Sequence, residues 1–219
     1  MEPAAGPANC RREPVCEPTL SQSINQGVTG KPTLVEELLA ANSAYSCDFE
    51  LVDLPARPAR RLAIVTCMDA RILPDQMLGL ACGDAHVLRN AGGRVTDDTL
   101  RSLIVSTHLL GVRHIVVVHH TDCGMAATDQ ATLGEVVKRA TGSVPDLDFA
   151  TIEDPDAALA ADVDKIRRCP FLPAGTSVSG HVYRVHDGSL ICRLPPVSPA
   201  PEPVSSSSLS ARSTDQERA

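Results

Sequence analysis

Apolar residues come in two kinds of run along this chain, and each predicts a different element. Leu62-Ala63-Ile64-Val65-Thr66 and Ile115-Val116-Val117-Val118 are short, uninterrupted and rich in β-branched side chains. That is the pattern of strands covered on both faces. His86-Val87-Leu88-Arg89 predicts a third strand between them. Leu34, Val35, Leu38 and Leu39 recur instead at helical spacing after Thr33, a helix-capping residue type, with Glu36 and Glu37 where the helix dipole favours carboxylates. This helix is expected to reach about Ser46. Residues 100–110, ended by Gly111, and 156–168, stopped by Pro170, predict two more helices. Residues 182–185 and 190–194 flank Asp187-Gly188, a hairpin signal, and 141–155 form a long connection. Strands alternating with helices imply an α/β fold: a central, mostly parallel β-sheet with flanking helices and one antiparallel edge strand.

The ends of the 219-residue chain lack such patterns. Residues 1–32 carry Pro3, Pro7, Pro14, Pro18, Gly27 and Gly30 without apolar periodicity and are expected to form a disordered arm. From Pro195 to residue 219 the sequence is rich in Pro and Ser and is expected to be a disordered tail, leaving 33–194 as the folded domain. Aromatic residues make up 2%, with no Trp, so the core must be aliphatic and stacking platforms for single-stranded nucleic acid are not expected. A net charge of −7 further argues against a phosphate-backbone partner. No run of about 18 apolar residues predicts a membrane span. No apolar segment follows Arg11 and Arg12, so no export signal is read and the expected location is the cytoplasm. In a reducing compartment the eight cysteines read as metal-binding or catalytic thiols before disulfides.

The chemistry gathers at the ends of the two buried strands. Cys67-Met68-Asp69-Ala70-Arg71 follows the first and His120-Thr121-Asp122-Cys123 the second. In open α/β sheets ligands bind outside the carboxyl ends of the strands, so Cys67, His120 and Cys123 meet at the expected edge. Zinc takes this mixture of thiolate and imidazole, and three protein ligands leave a position for water or substrate. In an extended stretch Cys67, Asp69 and Arg71 share a face, and Arg71 there can hold Asp69 bidentately. His119 must face the other way and is expected to pack or hydrogen-bond beneath the sheet. Gly92 and Gly93 either allow close approach to a small substrate or make a plain turn. Asp122 either supports the ligands or caps a helix over 122–129. Cys47, Cys82, Cys169 and Cys192 read as small buried residues. Cys10 and Cys16 lie in the arm.

Cys-x-Asp-x-Arg followed by His-x-x-Cys, each closing a buried strand, resembles the β-class carbonic anhydrases. CMDARILPDQMLGLACGDAHVLRNAGG and VVVHHTDCGM are similar to that family's core, SVSGHVYRVHDGSLICRL to its closing strands, and the short bacterial and archaeal branch fits best. The resemblance covers about residues 33–194. It implies a zinc enzyme with Cys67, His120 and Cys123 as ligands and Asp69–Arg71 as catalytic dyad. It implies reversible hydration of carbon dioxide to bicarbonate and a proton by zinc-bound hydroxide, with Asp69 either orienting that hydroxide or, in a closed form, occupying its place. It also implies a homodimer, in which the N-terminal helix packs on the neighbouring subunit, or a tetramer. Hydrolysis of carbonyl sulfide or carbon disulfide on the same ligands, and a non-catalytic zinc site, are the alternatives.

Overall fold

The computed structural model describes residues 31–197, so Cys10, Cys16 and most of the expected arm and tail lie outside the described residues. The chain divides into two compact units, Met1–Leu54 and Pro55–Ala219. In the first, α1 (Leu34–Cys47) opens on a capping box: the Glu36 N–H donates to Thr33 Oγ1 and the Thr33 N–H donates back to Glu36 Oε2, at 3.3 and 2.7 Å. None of its residues is buried, and Leu34, Val35, Leu38 and Leu39 are each at least 60% exposed. The apolar stripe of α1 is thus uncovered among the described residues of its unit.

The second unit is built on a five-stranded sheet of order β2-β1-β3-β4-β5. Its strands are β1 (Leu62–Cys67), β2 (Ala85–Asn90), β3 (His114–His120), β4 (Ser177–Tyr183) and β5 (Leu190–Val197). Four run parallel and β5 is antiparallel to β4, as the sequence pattern requires. Ala63 and Val65 of β1 and Ile115 and Val117 of β3 pack with Leu103, Leu159, Val163 and Ile166 into one aliphatic core. Ile64 and Val118, which alternate with them, are also fully buried, so both central strands are covered on both faces.

The helices of this unit are α2 (Pro74–Leu78), α3 (Asp97–His108), α4 (Gln130–Thr141) and α5 (Pro155–Arg167). Thr96 caps α3 and Asp154 caps α5 through side-chain oxygens that accept from the first turn. Leu103 of α3 and Leu159, Val163 and Ile166 of α5 reach the core, which makes both legible as periodic runs. Three departures from expectation concern an edge strand, a turn and the outlying cysteines. β5 runs three residues past 194, because prolines are tolerated on an edge strand and Arg167 Nη2 holds the Pro195 carbonyl at 2.8 Å. No helix is capped by Asp122; a single 3₁₀ turn, Gly124–Ala126, follows it. None of Cys47, Cys82, Cys169 and Cys192 is buried: Cys169 is half-buried and the others are exposed, since they occupy turns, an edge strand and an uncovered helix end rather than the core strands.

Candidate metal centre

β1 and β3, adjacent and parallel, end at the same edge of the sheet and deliver Cys67 and His120 there. Asp122 then adopts a left-handed backbone with φ of 55°, which Asp tolerates better than most residues, and the chain turns so that Cys123 comes back beside them. The two sulfurs and an imidazole nitrogen lie within 4.8 Å of one another, and all three residues are buried. His120 Nδ1 donates to the Thr121 carbonyl at 2.8 Å, which leaves the lone pair of Nε2 for a ligand; that atom is buried and has no hydrogen-bond partner. Thr121 is itself fixed: its N–H donates to the Tyr183 carbonyl at 3.0 Å and its hydroxyl accepts from the Val185 N–H at 3.1 Å. The hairpin of β4 and β5 thus sets the plane of the imidazole.

Burial pushes the Cys123 thiol up, with Cys67 beside it adding to the effect, and burial pushes His120 down. Two cysteine sulfurs and an imidazole with an unpartnered nitrogen fit a soft or borderline divalent cation, whose charge would favour the thiolate form of Cys123 that burial opposes. Cys67, His120 and Cys123 are thus the residues that fit zinc.

Asp69 and Arg71 meet beside this cluster, but not by strand alternation. The chain leaves β1 and turns, with the Ile72 N–H on the Asp69 carbonyl and the Arg71 N–H on Asp69 Oδ1 at 2.9 Å. That turn folds the guanidinium back on the carboxylate: Nε to Oδ1 at 3.0 Å and Nη2 to Oδ2 at 2.8 Å. Arg71 Nη2 also donates to the Asp122 carbonyl at 3.1 Å, joining the pair to the ligand turn. The hydrogen bonds from Arg71 hold the Asp69 carboxyl well below the usual carboxylate range. Its Oδ2 stands 4.0 Å from His120 Nε2.

Gly92 and Gly93 both take left-handed backbone conformations. Gly93, with φ of 67°, leaves no room for a side chain, because a Cβ there would lie 2.9 Å from the Cys67 nitrogen. Gly92 borders a cavity of about 600 Å³ together with His120, Cys123, Ile152 and Val182. The Asp122 carboxylate faces His186 at 3.2 Å rather than the cluster.

These features have a family to belong to. The sequence pattern of the family described as carbonic anhydrase matches residues 62–147. β-Carbonic anhydrase 1 of Mycobacterium tuberculosis is 39% identical over 158 residues, 72% of this chain and 96% of that protein. The chain belongs to the β-carbonic anhydrase family. A carbonic anhydrase from Streptococcus mutans superposes with a TM-score of 0.70 at 40% identity, covering 74% of this chain and 99% of that one. A carbon disulfide hydrolase of Acidithiobacillus thiooxidans is 34% identical over 151 residues, 60% of this chain and 76% of that protein. Within this β-carbonic anhydrase, Asp162 on α5 is a residue that motif spacing alone does not single out. It accepts from Arg94 Nε at 2.7 Å, from the Val95 N–H at 3.0 Å and from His119 Nε2 at 3.1 Å. His119 accordingly hydrogen-bonds to α5, as expected of it, while its ring also borders the cavity next to His120. Its partners tie the segment after Gly93 and the residue before His120 to one buried carboxylate.

Burial alone would push Asp162 up, but the donors on His119, Arg94 and Val95 outweigh it and hold the carboxyl below its ordinary value. A group depressed in the folded state contributes its stability fully above the ordinary carboxylate range and loses it as the pH falls through the depressed value. Asp162→Ala is therefore expected to cost about 3–5 kcal/mol at neutral pH, since it strands a buried guanidinium. The deficit should shrink on acidification in denaturant titrations; an equal deficit at pH 7 and at strongly acid pH would contradict it.

Proposed function

We propose that this chain is a zinc carbonic anhydrase that reversibly converts carbon dioxide and water to bicarbonate and a proton. The observation that carries this reading is the Asp69–Arg71 pair beside the Cys67–His120–Cys123 cluster. A purely structural site is completed by a fourth Cys or His and has no use for a carboxylate fixed by a guanidinium. When held by the three residues, zinc supplies a nucleophile near neutral pH by acidifying a coordinated water.

The side chains of the chain do the rest. Asp69, kept ionised by Arg71, only accepts hydrogen bonds, so it orients an attacking water or hydroxyl without protonating it. Ile72 and Ile152, with Met125 and Tyr183 packed against them, form an apolar wall around the two cysteines that suits a small linear substrate. His120 is locked by Thr121 in the tautomer that faces the cluster. We assign the catalytic chemistry to residues 33–194 and favour the cytoplasm as the compartment, because Cys67 and Cys123 serve only as reduced thiols.

Carbon disulfide or carbonyl sulfide hydrolysis is the second reading, supported by the relative that carries the first of those activities in its name. It needs the same ligands and differs only in the walls of the pocket. Stopped-flow carbon dioxide hydration and sulfide release from carbon disulfide and carbonyl sulfide, measured on one zinc-analysed preparation, separate the two. A kcat/KM for carbon dioxide far above that for either sulfur compound supports the proposal, and the reverse order replaces it.

A homodimer is part of the proposal. The four exposed apolar residues of α1 form a stripe that a second copy of the chain would cover. Leu38→Glu with Leu39→Glu is expected to yield monomers in analytical ultracentrifugation while the wild type sediments as a dimer or tetramer. A double variant that still sediments as the wild type would contradict this role of α1.

A further inference from the structure

Asp69 is held from two sides, and Arg71 accounts for one of them. Arg89 stands on the edge strand β2, opposite Thr66 in the parallel register, and the β1–β2 ladder ends one pair later at Cys67 and Asn90. Beyond that point the Met68 N–H still reaches the Asn90 carbonyl at 2.9 Å. The carbonyls on either side of Met68 are taken by a side chain: Arg89 Nε donates to Cys67 O at 3.0 Å and Arg89 Nη2 to Asp69 O at 2.7 Å. Among the described residues Arg89 makes no ion pair, so its planar fork is committed to these two carbonyls. A guanidinium spans two acceptors in a fixed geometry, which an ammonium does not. One of the carbonyls belongs to a metal-ligand residue and the other to the carboxylate beside it.

We propose that Arg89 is a positioning residue of the metal site: its fork fixes the backbone at Cys67 and Asp69 and so sets the Cys67 thiol and the Asp69 carboxylate at their working separation. Arg71 orients the Asp69 side chain, and Arg89 anchors the backbone from which that side chain leaves. The side chain of Arg89 lies on the exposed edge of the sheet and outside the aliphatic core, so its removal loosens the turn 67–71 without unpacking the fold. Displacements of about 1 Å at a reacting centre cost roughly 100-fold in rate. Loss of a group that supports a metal ligand typically weakens metal affinity about 10- to 100-fold.

This inference rests on the proposed carbonic anhydrase activity only in its kinetic arm. The test compares Arg89→Ala and Arg89→Lys with the wild type in the full chain. Four properties are read: melting temperature, zinc affinity by chelator competition, the visible spectrum of the cobalt(II)-loaded protein, and kcat and KM for carbon dioxide. Arg89→Ala is expected to melt like the wild type, to bind zinc about 10-fold more weakly and to show shifted thiolate-to-cobalt bands. Its kcat should fall about 10- to 100-fold with KM nearly unchanged, and added guanidinium should restore part of kcat in this variant alone. Arg89→Lys, which keeps the charge without the fork, should behave like Arg89→Ala, and it carries the test if the alanine variant does not fold. Wild-type cobalt spectra and zinc affinity in Arg89→Ala, or full restoration by Arg89→Lys, would overturn the proposal. If the wild type hydrates no carbon dioxide, the activity reading fails, while the cobalt and chelator arms still decide the role of Arg89.

Discussion

Cys123→Ala and His120→Ala are each expected to lose zinc and carbon dioxide hydration together, whereas His119→Ala keeps both. The contrast follows from where the two neighbouring imidazoles point. His120 presents an unpartnered, buried Nε2 to the two cysteines, and His119 spends its Nε2 on Asp162. Removing a direct ligand takes away a bond that rearrangement does not replace, so the loss of metal affinity should exceed the roughly 100-fold typical of a group that only supports a ligand. His119→Ala leaves Asp162 with Arg94 and the Val95 N–H, so the expected cost falls on stability. Metal analysis of the purified variants, with stopped-flow hydration on the same samples, checks both halves. Full zinc in Cys123→Ala would refute the ligand set. Loss of zinc in His119→Ala with retention in His120→Ala would show that the other histidine binds.

Arg71→Ala should depress kcat by about 100-fold or more while zinc stays bound, the scale on which a single preorganised electrostatic partner acts. The reason is orientation rather than charge. In the wild type Arg71 holds Asp69 ionised from well below the ordinary carboxylate range, so Asp69 does not titrate between pH 5 and pH 9 and contributes no inflection there. Without Arg71 its carboxyl returns toward the ordinary range, still ionised at neutral pH, but free to swing over the 4.0 Å that separate it from His120 Nε2 and to occupy the open metal position. Two thiolates lower the effective charge of the metal, so the coordinated water is less acidic than on a three-histidine site, and wild-type activity is expected to climb from neutral into alkaline pH. Asp69→Asn should prevent the swing and also lose the acceptor that orients the nucleophile, so zinc is retained at low turnover. X-ray absorption at the zinc edge distinguishes the cases: Arg71→Ala should show an added carboxylate oxygen at neutral pH. Normal turnover in Arg71→Ala with an unchanged zinc edge would contradict the role assigned to the pair.

What the sequence disclosed and what it hid follow from what holds each element. β1 and β3 are buried on both faces, so their apolar runs locate them to within two residues of the observed ends. α4 passed unnoticed although Leu133, Val136 and Val137 recur at helical spacing and Asp129 and Gly142 stand at its two caps; only Gly134 of it is buried, so the core does not mark it. β4 starts at Ser177, well before the predicted 182, because its buried half contains Ser179 and Gly180 rather than a run of apolar side chains. The meeting of Cys67, His120 and Cys123 was legible since each closes a buried strand or the turn that follows it. The pairing of Asp69 with Arg71 was also anticipated, but from strand alternation, whereas a turn after β1 produces it. Arg89 and Thr121 stayed hidden for a common reason: each meets the site through a bond between a side chain and a backbone carbonyl, and a sequence does not display which carbonyl a side chain will reach. Asp162 was hidden by distance along the chain, 43 residues from His119.

Zinc titrated into the metal-free full chain, with the rate of carbon dioxide hydration read at each addition, tests the central claim most directly. The account predicts negligible hydration before the first addition, a linear rise, and a break at one zinc per chain that is absent in Cys67→Ala. Hydration that stays at the uncatalysed rate when one zinc per chain is bound would contradict it.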